Sequence, residues 1–197
     1  MLQIVKDSDT RPWFFLQTAH TTYGIRVMET GHLEHLYYGE RITVDAQDPS
    51  FCAPLVIQRA FAPGNTCTYD REHPQISMED VCLEIGTLGK GDIREPFLEV
   101  RFADGSVTSD FTFDSYEVLT LKEREQCLQD SGLPHSYSEA ETDSAECLQI
   151  VLQDVTNHLE LQLLYTVFEE CDVITRSARL INHSDASVTL ERCLSAQ

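Results

Sequence analysis

An all-β fold, an antiparallel β supersandwich of two packed sheets, is what this sequence predicts. Three observations carry the expectation. Apolar residues recur at every second position through most of the chain, the period of a half-buried strand. Turn signals built from Gly, Asn, Asp and Ser separate those runs. Helix-forming composition is confined to Leu121–Ser131 (LKEREQCLQDS), with Gly132 and Pro134 placed to stop it.

Strands are expected near 12–18, 22–29 and 33–38, with Thr30-Gly31 as a tight turn between the second and third. In 97–102, Leu98, Val100 and Phe102 alternate with Glu99 and Arg101, and Asp104-Gly105 reads as a hairpin turn into 107–113. A further strand follows at 115–121. In 147–154, Leu148, Ile150 and Leu152 share a face, and Asn157 then links to the longest run, 158–168. There Leu159, Leu161, Leu163, Tyr165 and Val167 lie on one side, with Glu160, Gln162 and Thr166 on the other. The last pair, 172–182 and 187–194, is joined by His183-Ser184-Asp185.

Two stretches break the pattern. Residues 45–96 carry five prolines and four glycines and read as one long loop region, a feature that in a compact domain is functional or covers something. Residues 138–146 (SEAETDSAE) read as a solvated acidic loop. Residues 1–197 together fit a single β-sandwich domain, with the 45–96 loop region within it, large enough to bury roughly 70% of its unfolded surface.

Charge excludes several partners. With 33 acidic and 14 basic residues the net charge is −19, so neither nucleic acid nor an anionic membrane surface is an expected partner. Hydrophobic content of 42%, with nine Phe, seven Tyr and one Trp, is too rich for a disordered chain. The opening MLQIVKDSDTRPWFFLQT lacks the basic and apolar regions of a secretory signal, and no apolar run approaches about 18 residues. The seven cysteines form no CxxC pair, so free thiols in a cytoplasmic protein are expected, mostly as small core fillers.

The chemistry-bearing candidates are few. His32, Glu34 and His35 resemble metal ligands, but on a strand the two histidines point to opposite faces, so a polar hairpin face is expected and no metal. Gly86, Gly89 and Gly91 have no strand-to-helix context and read as turns rather than a phosphate cradle. No nucleophile motif is present, and no spacing identifies the paired carboxylates of a glycosidase. One cluster stands out, Gly91-Asp92-Ile93-Arg94-Glu95-Pro96, where the Arg94 guanidinium fork can meet the Asp92 carboxylate. It reads as a loop-anchoring ion pair or as an Arg that meets sugar hydroxyls or a neighbouring subunit. Gln58-Arg59-Ala60-Phe61 is a second, weaker candidate.

The ordered set GHLEHLYYG (31–39), RAF (59–61), GDIREP (91–96), GLPHSY (132–137), DVITRSARLIN (172–182) and LERCLSA (190–196) resembles the N-terminal β-sandwich domain of bacterial α-galactosidases of glycoside hydrolase family 36. The resemblance covers nearly the whole chain. It implies a parent enzyme that cleaves terminal α-galactosides such as melibiose and raffinose with retention, and needs no cofactor. Its two catalytic Asp would lie on a (β/α)8 barrel, which needs about 250 residues of its own, so this chain alone would be inactive. The resemblance further implies a role in homo-oligomer contacts, with a tetramer for the full-length enzyme, and a long loop that can shape the sugar pocket. Arg59, Asp92 and Arg94 match the family pattern and are carried over as substrate-proximal or interface residues. Family members usually carry Asp before the Arg-Ala-Phe element, and Gln58 stands there instead.

Two rivals make different structural demands. A small mutarotase-like enzyme requires a His near an acid in a pocket of the sheet. A carbohydrate-binding module requires an exposed aromatic platform, for which Trp13, Tyr37 and Tyr38 are candidates.

Overall fold

The computed structural model describes residues 1–8, 11–56, 67–131 and 145–194. Its strands, in chain order, are β1 (Leu2–Ser8), β2 (Arg11–Gln17), β3 (Thr21–Val27), β4 (Leu33–Glu40), β5 (Leu98–Arg101), β6 (Thr112–Leu119), β7 (Glu146–Asp154), β8 (Leu159–Phe168), β9 (Val173–Asn182) and β10 (Thr189–Cys193). One α-helix, α1, spans Leu121–Ser131, as its composition predicts. All strand pairs are antiparallel. β1-β2-β3-β4 and β6-β7-β8-β9 form four-stranded sheets, and β5 pairs with β10.

The main core lies between these sheets. Phe14 and Leu16 of β2, Ile25 and Val27 of β3 and Leu98 and Val100 of β5 pack with Leu148, Ile150 and Leu152 of β7 and the predicted inward row of β8. The outer faces are covered as well. Trp13 and Phe15 of β2 meet Val5 and Cys52, with the 3-10 helix Pro49–Leu55 capping them. On the second sheet, Leu119, Cys147 and Leu164 pack against Cys127 of α1. Part of the long 45–96 region is thus a lid over the first sheet. Met28, Ile76, Met78 and Leu83 give it a small core of its own.

Four differences from the sequence expectation have physical causes. β1 has no clean alternation, because Leu2 and Ile4 pack on the main core while Val5 is buried in the cluster on the other face. The expected strands 107–113 and 115–121 are one strand, β6, with a bulge at Asp114; residues 109 and 110 bond instead to Leu88, Thr87 and the Asp154 carboxylate. A bulge shifts the side-chain period by one, which is why Phe113 and Tyr116 both reach the core. The turns at Asp104-Gly105 and His183–Asp185 do not close hairpins, since β5 and β10 leave their chain neighbours and pair with each other. Core filling accounts for a minority of the cysteines. Cys52 and Cys147 are buried and Cys127 is half-buried, whereas Cys67, Cys82, Cys171 and Cys193 are exposed; none of the seven forms a disulfide. The acidic loop lies outside the described residues except for Ala145 and Glu146.

Candidate functional site

The Asp92–Arg94 pair forms at close range. Arg94 donates from Nε to Asp92 Oδ1 at 2.8 Å and from Nη2 to Oδ2 at 2.9 Å, the bidentate geometry its planar fork favours. Nη2 also donates to the Met78 carbonyl at 2.9 Å, and the Arg94 backbone N–H returns to Asp92 Oδ1. Asp92 is buried while Arg94 is 38% exposed, so the pair pins residues 78 and 92–94 together and leaves one edge of the guanidinium at the surface. The hydrogen bonds to Asp92 push Arg94 further up in pKa. Arg59 lies outside the described residues.

A second cluster, which local spacing did not reveal, sits beside Arg94. Residues 82–84 run along β4, with His35 N–H donating to the Cys82 carbonyl and Glu84 N–H to that of Leu33. This places the Glu84 carboxylate inside the sandwich. It accepts from Tyr23 Oη at 2.6 Å, Tyr165 Oη at 2.7 Å and Arg176 Nη1 at 2.7 Å. Glu84 is almost fully buried, and a charge so placed is tolerable only when its oxygens are paired and hydrogen-bonded. Arg176 also stacks over the Phe97 ring at 4.6 Å. Burial, reinforced by the adjacent carboxylate, pushes both tyrosine hydroxyls up, so they stay protonated and donate.

His35 completes this group, with Nδ1 3.7 Å from Glu84 Oε2. Burial lowers its pKa, outweighing the upward pull of Glu84, so the ring is neutral at neutral pH. A bulge puts it there. The β3–β4 register slips between Gly24 and Ile25, so Tyr38 opposes Tyr23 and His35 opposes Ile25. Tyr38 and His35 are three apart and would face opposite sides of a regular strand. Instead both rings meet Tyr23, at centroid distances of 5.9 and 4.6 Å.

These residues line a cleft of about 430 Å3 bounded by Tyr23, His35, Tyr38, Glu84, Arg94 and Arg176. A hollow of about 280 Å3 shares Tyr23, Tyr38 and Arg176 and extends to Asp172. The expected polar hairpin face of His32, Glu34 and His35 does not exist as such. His32 is buried and bonds Asp110 and Thr30, Glu34 is buried and pairs with Arg26, and His35 faces Glu84. Among the described residues no three His, Cys, Asp or Glu side chains gather as metal ligands. The aromatic platform is not assembled either. Trp13 is buried under Arg26 and Tyr37 bonds the Glu40 carbonyl, which leaves Tyr38 exposed.

Asp110 anchors a third knot, accepting from His32 Nε2 and Lys90 Nζ at 2.9 Å and from Tyr69 Oη at 3.1 Å. Burial alone would raise this carboxyl, but the bonds from His32 and Lys90 outweigh it and hold its pKa down at about 2.

Residues 31–197 match the glycosyl hydrolase family 36 N-terminal domain. The bifunctional alpha-galactosidase/sucrose kinase AgaSK of Mediterraneibacter gnavus is 37% identical over 93% of this chain, and alpha-galactosidase AgaA of Geobacillus stearothermophilus 32% over 92%. These stretches are 18% and 23% of the two relatives. The crystal structure of the alpha-galactosidase from Lactobacillus brevis superposes with a TM-score of 0.78 at 30% identity, covering 95% of this chain and 24% of that one. An AgaA variant in complex with stachyose superposes at 0.79 and 29% identity, over 93% of this chain and 24% of its own. The chain therefore spans about a quarter or less of these relatives. With its register, its GDIREP turn and its core placed as described, it belongs to glycosyl hydrolase family 36, as the family's N-terminal domain.

Proposed function

We propose that residues 1–197 are a single N-terminal β-sandwich domain of a retaining α-galactosidase that releases terminal galactose from α-galactosides of the melibiose and raffinose type. The observation that carries this reading is the alignment of α-galactosidases along 92–98% of the chain, within a quarter or less of their own length. Retaining cleavage uses two carboxylates about 5–5.5 Å apart. Glu84, the buried carboxylate of the cleft, has its oxygens occupied by two tyrosines and an arginine, which suits a structural ion and not a nucleophile or an acid. The chemistry is accordingly assigned to carboxylates outside these residues, and the role of this domain to structure and to contacts within a homo-tetramer. The 45–96 region, with Arg59, Asp92 and Arg94, faces the sugar pocket or a neighbouring subunit in this reading. The exposed edge of Arg94 supports that placement. Seven cysteines held as thiols, with no disulfide among them, favour a cytoplasmic enzyme.

His35 beside Glu84 in a cleft also meets the demand of a mutarotase-like enzyme. One assay separates the two. A chromogenic α-galactoside is turned over by the full-length protein and is left intact by the 197-residue chain. Turnover by the isolated chain near 1 per second, an ordinary enzyme rate, would place the catalytic carboxylates inside it. Acceleration of galactose mutarotation by the chain, lost in His35→Gln, would favour the second reading.

A further inference from the structure

We propose that the cleft between Tyr38, Tyr23 and Arg176 binds a neutral hexopyranose. Its size comes first: about 430 Å3, with the adjoining hollow of about 280 Å3, lies at the scale of small-molecule sites, roughly 300–1,000 Å3. Its charge comes second. Among the described residues the charged groups on the lining are engaged: Arg94 pairs with Asp92, Arg176 with Glu84 and Glu95 with Arg192, and Asp172 is hydrogen-bonded to His20 through both oxygens. His35 is neutral beside them. Among the described residues no cation without an acidic partner lines the cleft to recruit a phosphate or carboxylate, and its carboxylates either pair with an arginine or, at Asp172, accept from His20. What remains is a set of fixed, planar polar groups, which suits a ligand made of hydroxyls.

Its aromatic wall comes third. Tyr38 is 65% exposed, the most exposed tyrosine of the first sheet, and it is braced from behind by Tyr23. Tyr23 is in turn fixed by Glu84 and His35. A largely exposed aromatic ring packed against a second one offers apolar area beside polar edges, the complement of a pyranose, which has an apolar C–H face and a hydroxyl rim. The bulge turns Tyr38 and His35 to one side of β4, where both rings meet Tyr23.

The probe is galactose, titrated into the 197-residue chain by calorimetry, with galactose 6-phosphate and inorganic phosphate in parallel. Saturable galactose binding is expected, weakened at least tenfold by Tyr38→Ala with an unchanged melting curve, and no tighter for the phosphorylated sugar. In the full-length protein the same variant should lose one galactose per subunit while still hydrolysing an α-galactoside. Absent saturation, equal affinity in Tyr38→Ala, unchanged stoichiometry, or preference for the phosphorylated sugar would each overturn the proposal. The α-galactosidase reading does not depend on any of these outcomes, since its own test is turnover.

Discussion

Glu84 and Tyr165 lie 81 residues apart in sequence and meet at 2.7 Å in the interior, where the tyrosine hydroxyl donates to Glu84 Oε1. The same oxygen accepts from Arg176. The long loop is thereby fastened to the central strand and the edge strand of the second sheet through one buried carboxylate. Tyr23 adds a strand of the first sheet through the other oxygen.

Removing that carboxylate strands a buried guanidinium and two hydroxyls. Glu84→Ala should destabilise the chain by about 3–5 kcal/mol, the range for breaking a buried ion pair. Replacing both ions by similar volume, as in Glu84→Gln with Arg176→Met, should recover most of the loss, because no charge is then left buried. Urea unfolding measures both. A Glu84→Ala cost below about 1 kcal/mol, the level of an exposed pair, would show that the knot is not structural.

Asp110 predicts an acid limb in stability. Its pKa is held down at about 2 when folded, against about 3.9 in an unfolded chain. Between those values the unfolded state binds the extra proton, so falling pH favours unfolding. The contribution is fully present above about pH 4 and disappears as pH falls toward 2. Asp110→Asn should lower stability at neutral pH and flatten the pH dependence across this window. A variant whose stability falls as steeply as the parent's between pH 4 and 2 would assign the acid limb to other carboxylates.

How much of this was legible depends on whether the signal was local. The inward row of β8 and the helix at Leu121–Ser131 follow from periods carried within single segments, and the structure places them as the sequence implies. The Asp92–Arg94 pair is two residues apart and was readable for the same reason. The Glu84 cluster joins residues 61, 81 and 92 positions away, on strands whose polar members look like any other. His35 reads as part of a polar hairpin face because a bulge cannot be seen in a period-two pattern, and the pairing of β5 with β10 is likewise decided by contacts across the chain.

Backbone demands at Gly89 and Gly105 can be separated from steric ones. Gly89 has φ +102° and a Cβ there would stand 2.5 Å from Thr108 Cγ2, whereas Gly105 has φ +85° with open space around it. Gly105→Ala should carry only the left-handed penalty, about 1–2 kcal/mol. Gly89→Ala carries the same penalty and a clash that rotation of Thr108 does not relieve, because Thr108 Cβ is itself at 3.1 Å. Thermal melting should therefore rank Gly89→Ala clearly below Gly105→Ala. Equal losses would mean that residue 108 moves aside freely.

Arg94 distinguishes anchoring from recognition. Arg94→Ala leaves the buried Asp92 carboxylate short of two donors and frees the Met78 carbonyl, so a loss of about 1–3 kcal/mol is expected. Arg94→Lys keeps the charge but, as a single ammonium, cannot reproduce the planar two-oxygen fork together with the bond to Met78, so it should recover only part of that loss. If anchoring is all Arg94 does, both variants of the full-length protein should retain the parent's KM and oligomeric state at temperatures where they are folded. A raised KM or a dissociated oligomer in Arg94→Lys, out of proportion to its small loss of stability, is expected if the exposed edge of the guanidinium meets the sugar or a neighbouring subunit.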